Sequence, residues 1–305
     1  MPRDRSLVRL SNGCKVNFGL RIVGMRPDGY HELDSIFYPL PYPRDDLAVR
    51  RMPGGGIRVV CSDPAVDAEN NTLTKAYAAF AEVVGAAPGL EVFLQKRIPV
   101  GAGLGGGSGN AAALLRWLNK ESSCPLDTEA LADLALTVGA DTPFFLRNAP
   151  CRVQGIGEIL TPVALDLSGC LLVLVCPDIQ ISTRQAYADY GAPLLSSSPH
   201  PGQSGLTKSL SRDKSPLLFN AAEGTYSCDN PENGFTNALE AAVFPGQPLL
   251  ASIKNELLRL GADVACMSGS GSGLFGLFSR CRAEAAVKAA FALRAGRRRV
   301  FLLRL

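Results

Sequence analysis

The sequence predicts an α+β fold in two lobes, and three observations carry that reading. The chain has 305 residues, 47% hydrophobic and 19% charged, an ordinary globular balance and a length that suits about two domains. Strand-like and helix-like segments interleave without the regular spacing of βαβ units. The first third is dominated by strand-like stretches, whereas the second half mixes a continuous apolar strand, helices and a stretch rich in Ser, Pro and Gly.

Taken in order, Lys15–Val23 reads as a strand, Leu33–Tyr42 as an apolar run with few breaks, and Leu47–Arg51 and Ile57–Cys61 as alternating strands. Arg26-Pro-Asp-Gly and Pro53-Gly-Gly-Gly mark turns between them. A helix is expected over Thr72–Val84, because Leu73, Ala76, Tyr77 and Phe80 share one face. Leu90–Arg97 is the next strand, Asn110–Asn119 a helix, and Asp127–Val138 a second helix with Asp127 as its N-cap. A strand pair around Arg152–Gln154 and Ile159–Leu160 precedes the buried strand Cys170–Cys176. The stretch from Gly191 to Lys214 lacks apolar periodicity and reads as a long loop. Helices follow at Asn237–Val243 and Gln247–Leu260, then a strand at Val264–Met267, a Ser/Gly turn from Ser268, a strand at Leu274–Phe278, a helix at Ala283–Leu293 and a strand at Val300–Leu303. The domain division expected from this order is 1–168 and 169–305, with the 191–214 loop in the second part.

Composition excludes several classes. With 31 basic and 28 acidic side chains, the net charge of +3 leaves no broad footprint for nucleic acid; the basic run from Arg294 reads as a helix end and turn. Nine cysteines, never in Cys-x-x-Cys spacing, and two histidines assemble no zinc pattern. Most of the cysteines sit in apolar runs and read as small buried hydrophobes in a reducing compartment. The charged first residues lack the apolar core of a signal peptide, and no apolar run is long enough to span a bilayer. The expectation is a cytoplasmic protein without a membrane partner.

The most informative segment is Pro99-Val100-Gly101-Ala102-Gly103-Leu104-Gly105-Gly106-Gly107-Ser108-Gly109-Asn110, with six glycines in nine residues entering a helix. Glycine admits close backbone approach, and consecutive amides at a helix start favour phosphate oxygens. Ser108 can add a hydroxyl donor or ligate a phosphate-bound magnesium ion. A flexible linker is the bland alternative, but the loop follows a strand and ends in a strong helix. Gly101-x-Gly103-x-x-Gly106 matches the dinucleotide fingerprint literally, yet no apolar second strand follows the helix before Asp127. The Lys of a Walker loop is missing, as are the protein-kinase His-Arg-Asp and Asp-Phe-Gly motifs.

Together with other motifs, this loop resembles that of the GHMP kinase superfamily. Cys14-Lys15-Val-Asn17 resembles an N-terminal Ala-Lys-x-Asn motif, and Gly139-Ala-Asp141-Thr-Pro-Phe-Phe a Gly-Ala-Asp-x-Pro-Phe motif. Gly155-Ile-Gly-Glu158 resembles a Gly-x-Gly-Glu segment, and Ser268-Gly-Ser-Gly a second glycine turn. Arg26-Pro-Asp-Gly-Tyr-His31 resembles the turn of the branch whose alcohol substrate carries a cytidine diphosphate. The resemblance runs from about residue 7 to the C-terminus. Two departures are that Asn12-Gly-Cys stands where Pro-x-Ala is usual, and that Gly109 replaces a frequent Ser.

The resemblance implies an N-terminal lobe like domain 2 of ribosomal protein S5 and a ferredoxin-like C-terminal lobe. It implies ATP and Mg2+, a small-molecule cytidyl diphosphate substrate, no nucleic-acid partner, and a monomer or weak homodimer. Asp141 becomes the general base and Lys15 its charge partner. Read without the resemblance, Asp141 is equally a helix N-cap before Thr142-Pro143, and Lys15 a solvated strand residue. Substrate contacts fall on Asn17, Tyr30, His31, Phe37, Thr183, Gly269, Ser270 and Gly271, with a core aromatic as the alternative for Phe37. Adenine contacts fall on Asn71, Thr72 and Lys96. Metal ligands are not assigned. Two other functions are open, a homoserine- or mevalonate-type kinase and a ligand sensor of the same fold without turnover.

Overall fold

A computed structural model describes residues 7–196, 225–227 and 235–305. Their chain folds into two compact units that are interleaved in sequence. The first takes the chain up to Val16, Met25–Val100 and Leu104–Pro162; the second takes Asn17–Gly24, Gly101–Gly103 and the described residues from Val163 to Leu305.

The first unit is built on β1 (Leu7–Met25), β2 (His31–Met52), β3 (Ile57–Cys61), α1 (Thr72–Val84), β4 (Gly89–Gln95), α2 (Gly106–Glu121), α3 (Thr128–Val138), α4 (Thr142–Arg147), β5 (Cys151–Gly155) and β6 (Ile159–Pro162). The strands order as β3-β4-β2-β5-β6, with β1 also on β2. The two apolar runs expected at Leu33–Tyr42 and Leu47–Arg51 form one long strand, β2. Its Leu33–Phe37 segment pairs with β5 and its Asp46–Met52 segment with β4, and Pro41 and Pro43 fall between these two segments. Alternation sends Leu47 and Val49 of β2, Val59 of β3 and Leu90, Val92 and Leu94 of β4 to a core shared with Phe80, Leu114 and Leu134 of the helices. Each such side chain stabilises the unit by about 2 kcal/mol on burial.

The helix starts follow from local chemistry. Asn71 caps α1 by accepting from the amides of Leu73 and Thr74, and Asp127 caps α3 through the Ala130 amide. Two helices differ from expectation. α2 begins at Gly106 rather than Asn110, so the last glycines of the loop are helical. α4 had no periodic signal because it is a single short helix.

The second unit contains β7 (Ala164–Asp166), β8 (Leu171–Pro177), α5 (Thr183–Ser196), β9 (Thr225–Ser227), α6 (Glu240–Val243), α7 (Pro248–Arg259), β10 (Val264–Met267), β11 (Leu274–Phe278), α8 (Ala283–Ala292) and β12 (Arg298–Arg304). Its main sheet is antiparallel in the order β10-β11-β8-β12. Counted along the chain this is second, third, first, fourth, the ferredoxin-like arrangement. The Asn17–Gly24 segment joins this unit because its apolar side chains pack here. Phe18 lies against Phe235 and Phe275, and Leu20 exchanges main-chain bonds with Thr236 and Ala238. Where a loop was expected from Gly191, α5 continues through residues 191–196, with Gly191 buried and Ala186 in the core. Residues 197–214 of that loop lie outside the described residues.

Candidate active site

In the first unit, Lys15 and Asp141 meet. The ammonium of Lys15 lies 3.5 Å from Asp141 Oδ2. Lys15 is only 3% exposed, so it is not the solvated strand residue that simple alternation predicts. Asp141 occupies the N-cap position of α4, but its side chain caps nothing. Its carboxylate instead faces the Lys15 ammonium. The Lys15 ammonium also sits 4.4 Å from the centroid of Phe37, whose ring packs edge-on against Phe144. Phe37 is 3% exposed within an apolar cluster with Phe144 and Phe145.

The glycine loop is divided between the units, Gly101–Gly103 belonging to the second and the rest to the first. In the first unit the Lys15 amide donates to the Leu104 carbonyl at 3.0 Å, and Thr72 Oγ1 donates to the Gly107 carbonyl at 2.8 Å. Gly105 caps α2 without a side chain, leaving the amides of Gly106, Gly107 and Ser108 without intrahelical acceptors. A Cβ at Gly109 would stand 1.6 Å from Asn12 Nδ2, so any larger residue there has to move the Asn12 side chain. The Asn110 amide oxygen and the Thr142 hydroxyl are buried without hydrogen-bond partners among the described residues.

In the second unit the loop's first glycines lie on the Ser/Gly turn. Ser268 Oγ contacts the Gly103 carbonyl at 3.2 Å and Asn17 Oδ1 at 3.3 Å, and the Gly273 amide donates to the Ala102 carbonyl. Gly103 has φ +69°, and a Cβ there would meet the Ser268 carbonyl oxygen at 2.1 Å. The turn is braced by Asn237, whose amide nitrogen donates to the carbonyls of Met267 and Gly269 at 2.8 and 2.6 Å. Thr183 and Ser270 share a hydrogen bond of 2.9 Å between their hydroxyls.

The other sequence-derived positions divide. Tyr30 is exposed on a closed turn, its amide bonded to Asp28, and His31 opens β2. Arg26 of the same turn pairs with Glu158 at 3.8 Å, and Glu158 accepts from the Ile156 amide. This joins the Gly155–Glu158 motif to the Tyr-His turn. The Asn71 side chain is engaged in capping α1 and in bonds to the carbonyls of Asp67 and Ala68. Lys96 Nζ is held by Asp45 at 2.7 Å. Asp45 and Asn237 are the residues that motif reading missed. The available signal for Asp45 was a carboxylate within a strand, where aspartate is depleted.

The arrangement offers a cradle of backbone amides and a buried cation beside a carboxylate, as phosphoryl transfer to an alcohol requires. Among the described residues no group of three or more His, Cys, Asp or Glu side chains could hold a metal ion, and no helix is long and apolar enough to cross a membrane.

Comparison with known proteins agrees with this chemistry. The families described as GHMP kinases N terminal domain and GHMP kinases C terminal match residues 71–148 and 224–294. A 4-diphosphocytidyl-2-C-methyl-D-erythritol kinase of Nitratidesulfovibrio vulgaris is 45% identical over 273 residues, covering 90% of this chain and 91% of that one. The protein of the same name in Lawsonia intracellularis is 40% identical over 276 residues, covering 88% of each. A solved 4-(cytidine 5'-diphospho)-2C-methyl-D-erythritol kinase superposes with a TM-score of 0.72 at 32% identity, over 98% of this chain and all of the other (100%). Methanococcus jannaschii mevalonate kinase shares the fold, with a TM-score of 0.68 at 13% identity over 100% of this chain and 99% of its own. The chain belongs to the GHMP kinases, and within them to the family of 4-diphosphocytidyl-2-C-methyl-D-erythritol kinases.

Proposed function

We propose that this chain transfers the γ-phosphoryl group of ATP, with Mg2+, to the C2 hydroxyl of 4-diphosphocytidyl-2-C-methyl-D-erythritol. The products are the 2-phosphate and ADP, in non-mevalonate isoprenoid precursor synthesis. The observation that carries the reading is the buried Lys15 ammonium 3.5 Å from the partly exposed Asp141 carboxylate, in a chain of this family.

Asp141 accepts the proton of the C2 hydroxyl as the new O–P bond forms and the bond from the γ-phosphorus to the departing ADP oxygen breaks. A carboxylate is a far weaker base than an alkoxide, so the proton moves late, together with attack. Lys15 pairs with the Asp141 carboxylate and stabilises negative charge developing on the attacking oxygen. The amides of Gly106, Gly107 and Ser108 bind phosphate oxygens at the positive end of α2. Gly101 and Gly103 let the backbone approach them. Mg2+ would neutralise charge on the phosphates; with no acidic cluster among the described residues, Ser108 is the side chain offered to it. Tyr30 and His31, on the exposed turn, are assigned to the cytosine ring. Phe37 serves as the wall behind Lys15, and Asn17, Thr183, Gly269, Ser270 and Gly271 as further substrate contacts. Asn71, Thr72 and Lys96 are assigned to the adenine side. We read the working state as a cytoplasmic monomer or weak homodimer.

Product analysis tests the reading. After reaction with ATP, Mg2+ and the cytidyl alcohol, phosphorus NMR should show a new monoester resonance coupled to carbon 2. A product phosphorylated elsewhere on the erythritol would contradict the assignment of the acceptor.

A further inference from the structure

Asp45 touches no position assigned to the reacting atoms, yet its carboxylate is fully buried and fully bonded. Oδ1 accepts from the main-chain amides of Arg97 and Ile98, both at 2.8 Å. Oδ2 accepts from Lys96 Nζ at 2.7 Å and from Asn110 Nδ2 at 2.9 Å. Four donors saturate what a carboxylate can accept. Asp45 is 0% exposed and Lys96 pairs with it almost as deeply buried, so neither charge exchanges its partner for water.

The position of the donors is what matters. Lys96, Arg97 and Ile98 form the exit of β4 just before Pro99, whereas Asn110 lies near the start of α2, beyond the last loop glycine. One carboxylate of β2 therefore clamps both ends of the phosphate loop. Lys96 Nζ also donates to the Ile98 carbonyl at 2.7 Å and stands 2.9 Å from where a Cβ on Gly106 would be. Its charge is thereby fixed beside the first residue of α2.

We propose that Asp45 is a positioning residue for the nucleotide, fixing the separation of the loop's two ends and hence the aim of the Gly106, Gly107 and Ser108 amides. The proposal rests on reading the loop as the ATP site. Asp45→Asn is nearly isosteric. It keeps an oxygen for the amides of Arg97 and Ile98 but turns an NH2 group toward Lys96 and Asn110, which are donors themselves. Loss of aim should appear in nucleotide affinity rather than in the chemical step.

Steady-state kinetics on wild type and Asp45→Asn, varying each substrate at saturation of the other, test this together with titration of an unreactive ATP analogue. The expected result is a KM for ATP raised about tenfold or more, kcat within about threefold, and an unchanged KM for the alcohol. Analogue binding should weaken by the same factor as the KM. An ATP KM within about twofold of wild type overturns the proposal, whatever the melting temperature. So does a fall in kcat with both KM values unchanged, which reports only a smaller folded fraction. Asp45→Glu, which keeps the charge but moves it by one methylene, is read by the same criteria if Asp45→Asn does not fold. Insolubility of both variants would assign Asp45 to folding alone and overturn the proposal. Wild-type protein that binds no ATP analogue would instead remove the nucleotide reading of the loop, a result separate from any effect of Asp45.

Discussion

Lys15 Nζ stands 3.5 Å from Asp141 Oδ2, with the lysine buried and the carboxylate partly exposed. Asp141→Asn removes the proton acceptor while keeping shape. Turnover should fall by about a thousandfold or more, with ATP-analogue affinity within about threefold of wild type. Lys15→Met should lower kcat by a similar factor and leave an unpaired carboxylate. Rapid-quench measurement of ADP formation checks both. Undiminished turnover in Asp141→Asn would take Asp141 out of the mechanism.

Phe37 presents its ring to the Lys15 ammonium at 4.4 Å. Phe37→Leu keeps an apolar wall but removes the ring's negative face, an interaction of about 1 kcal/mol. The expected effect is a loss of about fivefold in kcat with the ATP KM unchanged. A larger loss in the KM for the alcohol than in kcat would make Phe37 a substrate contact first.

Gly103 is boxed in by the Ser268 carbonyl, 2.1 Å from where a Cβ would stand. Gly103→Ala must displace backbone at the loop and should raise the ATP KM by at least about tenfold. Gly54→Ala is a useful contrast: it also has positive φ, but no atom lies within 4 Å of its added Cβ. It should cost about 1 kcal/mol of stability and leave KM alone. Thermal melts alongside kinetics separate the two outcomes.

Burial pushes the Cys176 thiol up to about 12, and burial together with Glu240 pushes Cys266 well above its ordinary value. Neither supplies thiolate near neutrality, whereas Cys124 and Cys281 are exposed. Alkylation of native protein at pH 8 followed by peptide mass mapping should modify Cys124 and Cys281, leaving Cys176 and Cys266 intact. The same shift has a consequence for stability. A thiol with a raised folded-state pKa stabilises the native chain fully below its unfolded value, and that contribution is lost as pH rises from 9.0 toward about 12. Cys176→Ala should therefore lose less of its own melting temperature over that range than wild type does.

Much of this arrangement can be read from sequence where side-chain period is clear. Leu73, Ala76, Tyr77 and Phe80 marked α1, and Asp127 marked the start of α3. Helical glycines hid the true start of α2, because their propensity argues against helix, while Ile98 and Lys96 crowd Gly106, Thr72 crowds Gly107 and Asn12 crowds Gly109. α5 was obscured at Gly191, where composition suggested a loop but burial of Ala186 and Gly191 carries the helix on. The passage of Asn17–Gly24 into the second unit depends on Phe18 and Leu20 choosing one core over another, a long-range outcome that alternation does not encode. Lys15 and Asp141 are far apart in sequence and were connected by motif resemblance, not by local pattern. Asp45 had no motif, since two of its four donors are main-chain amides that any sequence supplies and the other two, Lys96 and Asn110, lie far from it in the chain.

One assay tests whether the chain is a phosphotransferase specific for the cytidyl alcohol. Purified protein is incubated with ATP, Mg2+ and, separately, 4-diphosphocytidyl-2-C-methyl-D-erythritol, mevalonate or homoserine, and ADP is followed. ADP should form with the cytidyl alcohol at a rate at least about a hundredfold above the other two. ADP from mevalonate or homoserine alone would contradict the substrate assignment. Tight binding of the cytidyl alcohol without any ADP would contradict catalysis itself.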